Sequence, residues 1–237
     1  MEKTRLSGSD RRDQILEHAS RLFALKGHFG VTTKELALNC SITEPILYRH
    51  FSNKDHLYQE VKKHHRGQIS EIESLIHQLS PSTENFIFIT STLVWSMVLH
   101  QRVGTNHKHE ETERMIRLLG FSLLEDGSMM KIQIDQFAEK LMPYWMRHYQ
   151  AAFVLGDLNL KEISDESLWL TFQQMISFSL FELNSSRMFI EWDTTKERLT
   201  NTTQYFLRAL GVREEVISKK FSMAKMVAKF EGIKSSL

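Results

Sequence analysis

Thr32-Thr33-Lys34-Glu35-Leu36-Ala37-Leu38-Asn39-Cys40-Ser41-Ile42-Thr43-Glu44-Pro45-Ile46-Leu47-Tyr48-Arg49-His50-Phe51 is two short helices with a tight turn between them. Thr32-Thr33-Lys34-Glu35 has the form of a capping box, in which a threonine hydroxyl and a glutamate carboxylate satisfy otherwise orphan amides, and it predicts a helix from Thr33 to about Cys40. After the turn Ser41-Ile42, Thr43 can cap the next helix, and Pro45 falls in its first turn, where a missing amide hydrogen costs nothing. Upstream, Ile15, Leu16, Ala19, Leu22 and Phe23 mark one face of a helix over residues 10–26, which Gly27 stops. Downstream, Ser52-Asn53-Lys54-Asp55 caps a longer helix, whose apolar positions run from Leu57 to Leu79 and predict a rod of about 40 Å.

Two short helices braced by a first helix make a tri-helical helix-turn-helix, the arrangement whose second short helix enters a DNA major groove. Glu44 to His50 would be that helix. Ile42, Leu47 and Phe51 can face inward, which leaves Thr43, Glu44, Pro45, Tyr48, Arg49 and His50 outward. Leu36, Leu47, Phe51 and Leu57 are read as core. Cys40 can be a redox-sensitive thiol or a small buried side chain; with no second cysteine in the chain, burial is the simpler reading.

Thr32-Thr33-x-x-Leu36-Ala37 followed by Leu47-Tyr48-Arg49-His50-Phe51-x-x-Lys54-x-x-Leu57 resembles the DNA-binding signature of TetR-family regulators. The resemblance covers about residues 10–60. It implies an all-α fold with an N-terminal tri-helical helix-turn-helix domain and a C-terminal helical bundle that binds a ligand and dimerises. It also implies a homodimer on a palindromic double-stranded operator, usually repressing and released by a small-molecule effector. An activator would carry the same residues. Position by position, Thr33, Tyr48, His50 and Lys54 resemble the family's phosphate contacts, and Glu44, Pro45, Ile46 and Arg49 would lie nearest the base edges, with Thr43 beside them. The family commonly has Ala-Gly in the turn where this chain has Cys40-Ser41. A serine at a position suited to positive φ would carry mild strain or adopt another turn.

Composition limits the alternatives. The chain has 237 residues, 30 Lys+Arg against 29 Asp+Glu, and only 10 Gly and 3 Pro, so an all-β fold and a disordered chain are both excluded as expectations. Charge is segmented: residues 1–66 are net +4, 67–212 net −6 and 213–237 net +3, and six of the eleven histidines fall in the first segment. That pattern suits a small anion-binding head on an acidic body. One cysteine and a polar start point to a cytoplasmic protein, and the nearly uncharged run Asn85 to Gln101 is too short and too polar for a bilayer span. No phosphate loop, nucleophile elbow or metalloprotease motif occurs, so no enzyme, cofactor or metal site is expected. His107-Lys108-His109 with His100 contains metal-ligand types, but alternating histidines splay on a helix.

Beyond Pro81 the pattern stays helical: 83–102, 110–124, 128–155 with a kink at Pro143, 165–183, 195–210 and 214–230. The expected division is residues 1–56 for DNA binding and 57–237 for ligand binding and dimerisation. Phe88, Thr92, Trp95 and Leu99 recur at helical spacing, and Phe121, Phe137, Leu141 and Trp145 can face them from later helices. These residues would enclose a small apolar or aromatic effector, or simply pack a core. Residues 168–183 are apolar nearly all round and, with 195–210, resemble the family's four-helix dimer interface. The last helix would pack on the body or on the partner, with a membrane surface as the lesser alternative.

Overall fold

The computed structural model describes residues 7–64, 73–74, 76–98, 106–183 and 195–234. Helices α1 (Gly8–Lys26), α2 (Thr33–Asn39), α3 (Glu44–His50), α4 (Lys54–His64), α5 (Thr83–Val98) and α6 (Asn106–Leu124) are followed by α7 (Ser128–Lys140), α8 (Met142–Val154) and α9 (Asp165–Glu182). The chain continues through α10 (Thr195–Ala209), α11 (Glu214–Lys220) and α12 (Met223–Lys234). Among the described residues the only β pairing is an isolated bridge between Leu158 and Val212, so the fold is all-α. The continuation of α4 towards Leu79 falls largely outside the described residues, as do Leu99 and His100.

The chain forms two compact units, Met1–Gln68 with Glu113–Gln133, and Ile69–Thr112 with Ile134–Leu237. A single cut at 56/57 does not coincide with them. Leu57, Tyr58 and Val61 of α4 join the first core, and Met115, Leu118 and Met129 return to it from α6 and α7. The reason is area: α2 buries only Leu36 and Ala37, and α3 only Leu47, too little apolar surface to hold three helices unaided.

In the N-terminal unit, α1 starts with a complete capping box between Ser7 and Asp10, earlier than the apolar periodicity alone suggests. Ile15, Ala19 and Phe23 are fully buried beside Leu36, Leu47 and Phe51. Arg12 pairs with Glu60 of α4 and also lies over the Phe51 ring at 4.5 Å. Asn53 caps α4, its side-chain oxygen accepting from the His56 amide at 2.7 Å. Lys62 is 1% exposed; its ammonium donates to Ser128 Oγ at 2.6 Å and lies 3.8 Å from Asp126 Oδ2, partners that offset only part of the burial cost, so its pKa stays below the usual lysine value.

The turn between α2 and α3 is a Schellman arrangement. Ser41 N–H donates to Leu38 O at 3.0 Å and Ile42 N–H to Ala37 O at 2.9 Å. Ser41 sits at φ 54, the only positive φ among described residues other than glycine. The chain therefore keeps the left-handed turn and accepts the strain of a side chain in it.

In the second unit, the expected helix 128–155 is broken rather than kinked. Pro143 has no N–H to donate to a preceding carbonyl, so α7 ends at Lys140 and α8 begins at Met142 after Leu141 (φ −116). The expected helix 214–230 is likewise two helices, because Phe221 is extended at φ −91, ψ 127 and its ring is buried, while Met223 and Met226 of α12 enter the same core. The last helix thus packs on the body. Lys229 binds Asn85 and lies over the Phe88 ring at 4.9 Å. No described helix is long and apolar enough to cross a membrane.

Two predictions follow from strain and burial. Ser41→Gly relieves the left-handed backbone and raises unfolding stability by about 0.5–1 kcal/mol, read from the urea midpoint; an unchanged or lower midpoint would contradict the strain. His148 is fully buried, accepts from the Ser82 amide at 3.3 Å, and is held down to about 4 by burial, with Arg147 adding to the effect. The unfolded chain takes up that proton below about pH 6.5 and the folded chain does not. Stability falls as pH drops through this window, by roughly 2–3 kcal/mol between pH 6.5 and 4.5. His148→Gln should flatten that part of the profile; equal acid sensitivity in both proteins would assign it elsewhere.

Candidate nucleic-acid interface

Side chains on α3 are sorted by which of them the first core takes. Leu47 and the following Phe51 are 2% and 1% exposed, and Ile42 is half-buried against the same cluster. With that edge held, Thr43, Pro45, Tyr48 and Arg49 are exposed and Glu44, Ile46 and His50 half-buried. Tyr48 keeps 45% of its surface open. Apart from Pro45 and Ile46, these outward side chains carry hydrogen-bonding groups that can address phosphates or base edges.

Local capping differs from the expectation at one place. Thr32 accepts from the Glu35 amide at 3.2 Å, and the Glu35 carboxylate pairs with Lys26 and also feels the Thr32 backbone amide, both of which lower its pKa. Thr43 is extended at φ −93 and makes no side-chain cap, which leaves its hydroxyl exposed ahead of α3. Cys40 is 1% exposed in the turn, and burial pushes its thiol up to about 11, so it is not a nucleophile near neutral pH.

Two of the expected phosphate contacts have work inside the protein. Lys54 donates to the carbonyls of His28 and Val31, both at 2.9 Å, and thereby ties the start of α4 to the α1–α2 connection. An ammonium has three protons, so one stays available to an anion. Thr33 Oγ1 donates to Glu44 Oε2 at 2.8 Å, joining the first residues of α2 and α3. Sequence reasoning placed both residues on the interface but did not find this pair, since eleven residues separate them and no periodicity links them.

Of the residues expected around an effector, Phe88, Leu141, Trp145 and Phe137 are buried in the second core, and Trp95 packs against it. Phe137 stacks on Phe172 at 3.6 Å and meets Trp145 and Trp169 edge-on at 6.1 and 5.8 Å. Trp145 Nε1 donates to Thr90 Oγ1 at 3.0 Å, and the Thr92 hydroxyl is spent on the Phe88 carbonyl at 2.8 Å. Phe121 is not with them. It belongs to the N-terminal unit, where its ring lies so close to Gly27 (φ 71) that a Cβ there would approach it to 2.8 Å. Leu99 lies outside the described residues. Sequence reasoning missed Thr202 and Thr203 of α10, buried hydroxyls without a hydrogen-bond partner among the described residues, and the ring of Phe172. Among described residues no group of three or more His, Cys, Asp or Glu is placed to hold a metal; the side chains of His107 and His109 lie outside that description.

Comparison with known proteins agrees with this geometry. Residues 15–61 match the family described as bacterial regulatory proteins, tetR family. The HTH-type transcriptional activator FasR of Mycolicibacterium smegmatis is 34% identical over 81 residues, 34% of this chain and 36% of that protein, so the match spans little more than a third of the relative. HlyIIR, a hemolysin II transcriptional regulator, superposes with TM-score 0.57 at 16% identity, covering 87% of this chain and 100% of that one. AibR, solved with isovaleryl coenzyme A and operator DNA, superposes with TM-score 0.54 at 16% identity over 86% of this chain and 100% of its own. At such identities the two structures speak for the fold, while the N-terminal match speaks for the family. Residues 15–61 are thus a helix-turn-helix of the tetR family, carried on an all-α body with the fold that HlyIIR and AibR share.

Proposed function

We propose that this chain is a homodimeric repressor that binds a palindromic operator through α3 and is released when a small apolar or aromatic effector occupies the second unit. The observation that carries the DNA-binding part is the burial of Leu47 and Phe51, which turns Tyr48 and Arg49 to solvent on a short helix. Tyr48, His50 and the remaining Lys54 proton would take phosphates. Arg49 would read guanine, with Thr43, Glu44, Pro45 and Ile46 along the same groove. We assign DNA binding to the unit containing α1–α4, and effector binding and dimerisation to the other.

The dimer is supported by apolar side chains that the single chain leaves open. Leu170 and Phe181 of α9 and Tyr205 of α10 are 58%, 57% and 52% exposed, on the two helices expected to form a four-helix interface. The effector is supported by the cluster Phe88, Trp95, Phe137, Leu141 and Trp145, and by the buried hydroxyls of Thr202 and Thr203. AibR, whose structure carries both an acyl-coenzyme A and operator DNA, has the same fold. Release would be geometric. Two recognition helices fit successive major grooves only about 34–36 Å apart, and a ligand that favours another spacing lowers operator affinity. A second reading, an activator, is favoured by the name of FasR, and the operator's position relative to the promoter separates the two.

Operator binding measured from 50 to 200 mM salt should fall with a log–log slope of about −5 to −9, as 6–10 phosphate contacts require. Arg49→Ala should relax base preference without changing that slope; a flat salt response, or preference untouched by the substitution, contradicts the assignment. In sedimentation, the protein should run as two chains and Leu170→Arg with Tyr205→Arg as one. A monomeric parent protein would remove the dimer.

A further inference from the structure

The hydrogen bond between Thr33 and Glu44 changes what both residues can do on DNA. A threonine hydroxyl has one proton. Here that proton goes to Glu44 Oε2 at 2.8 Å, so while the pair holds Thr33 has nothing to donate to a phosphate. Its oxygen can still accept, but phosphate oxygens need donors. Glu44, for its part, is half-buried, with one carboxylate oxygen fixed and Oε1 making no hydrogen bond among the described residues. Pro45 follows it and has no N–H to turn that oxygen back onto the first turn of α3.

An oriented carboxylate is selective by exclusion. Placed against a base-pair edge, it is repelled by guanine O6 and N7 and by thymine O4, and it is satisfied only by an exocyclic amino group. Adenine presents N6–H₂ beside the acceptor N7, whereas cytosine presents N4–H₂ as its own sole polar group in the major groove. We propose that Glu44 is a specificity-determining residue that accepts from cytosine N4, and that Thr33 is a positioning residue that aims it. Each half-site then carries a C·G pair opposite the start of α3. This rests on the reading of α3 as the groove-entering helix. Thr33 is thereby reassigned from backbone contact to base selection through a second residue.

The test is selection of bound DNA from a random duplex pool at 50 mM salt with the full chain, followed by affinity and salt titrations on the selected site. The native protein should select cytosine at one fixed position of each half-site, and replacing it should weaken binding about 10-fold to 100-fold. Glu44→Gln, nearly isosteric, should move the preference at that position to adenine, the base that Gln matches with two hydrogen bonds. Thr33→Val should blunt the cytosine preference and leave the salt slope unchanged, while Thr33→Ser restores it. If Thr33→Val instead lowers the slope by about one and keeps the preference, Thr33 is a phosphate contact and the positioning role falls. A native protein that selects a clear site, with Glu44→Gln selecting the same bases, overturns this inference alone. A native protein that selects no sequence at all overturns the DNA-binding reading along with it.

Discussion

Burial of Leu47 and Phe51 against Ile15, Ala19 and Phe23 is the constraint from which the N-terminal unit follows. α3 is seven residues long, too short to be stable as an isolated helix, and it exists because its inner edge is covered. That same covering decides rotation. Once the leucine and the phenylalanine point in, tyrosine and arginine have no other direction than out, and a fully buried Phe or Leu contributes about 1.5–3 kcal/mol towards holding them there. Arg12 over the Phe51 ring and Lys54 on the carbonyls of His28 and Val31 secure the two ends of the same motif.

That motif is not self-sufficient. Its core borrows Val61 from α4, and Met115, Leu118 and Met129 from a return of the chain some fifty residues later. The chain therefore passes into the second unit, returns through Glu113–Gln133, and leaves again. In the second unit several aromatic rings find partners within the unit: Phe137 stacks on Phe172, Trp145 donates to Thr90, and Phe88 lies under the Lys229 ammonium. Among the described residues, the buried polar atoms left without a hydrogen-bond partner there include His148 Nε2, Gln136 Oε1 and the hydroxyls of Thr202 and Thr203, the last two on the helix that packs against α5.

Local signals were readable wherever one residue type forces one backbone outcome. The apolar spacing of residues 15–23, the threonine ahead of α2, the Asn53 cap and the glycine after α1 each act within a turn or two, and the helices stand where those signals place them. Ser41 shows the same locality: its positive φ follows from the need to close a Schellman turn, even without glycine. What the chain's linear order hides is long-range or collective. Pro143 was visible, but whether it bends or divides a helix depends on packing of Leu141 and Met142, both buried. The extended Phe221 breaks a periodicity that reads as one helix, because burying its ring outweighs continuing the hydrogen bonds. Phe121 has the right helical phase for the aromatic cluster and yet packs under Gly27, a choice made by topology. The pairing of Thr33 with Glu44 belongs to this class as well.

The central claim is that α3 lies in the major groove of a duplex, twice per dimer. Methylation interference on an operator tests it most directly, since methyl groups on guanine N7 project into the major groove and those on adenine N3 into the minor groove. The account predicts that N7 methylation abolishes binding in two patches centred about 10 base pairs, or a small multiple of one helical turn, apart. Binding that tolerates every N7 methyl group, or that fails only on adenine N3 methylation, would contradict it.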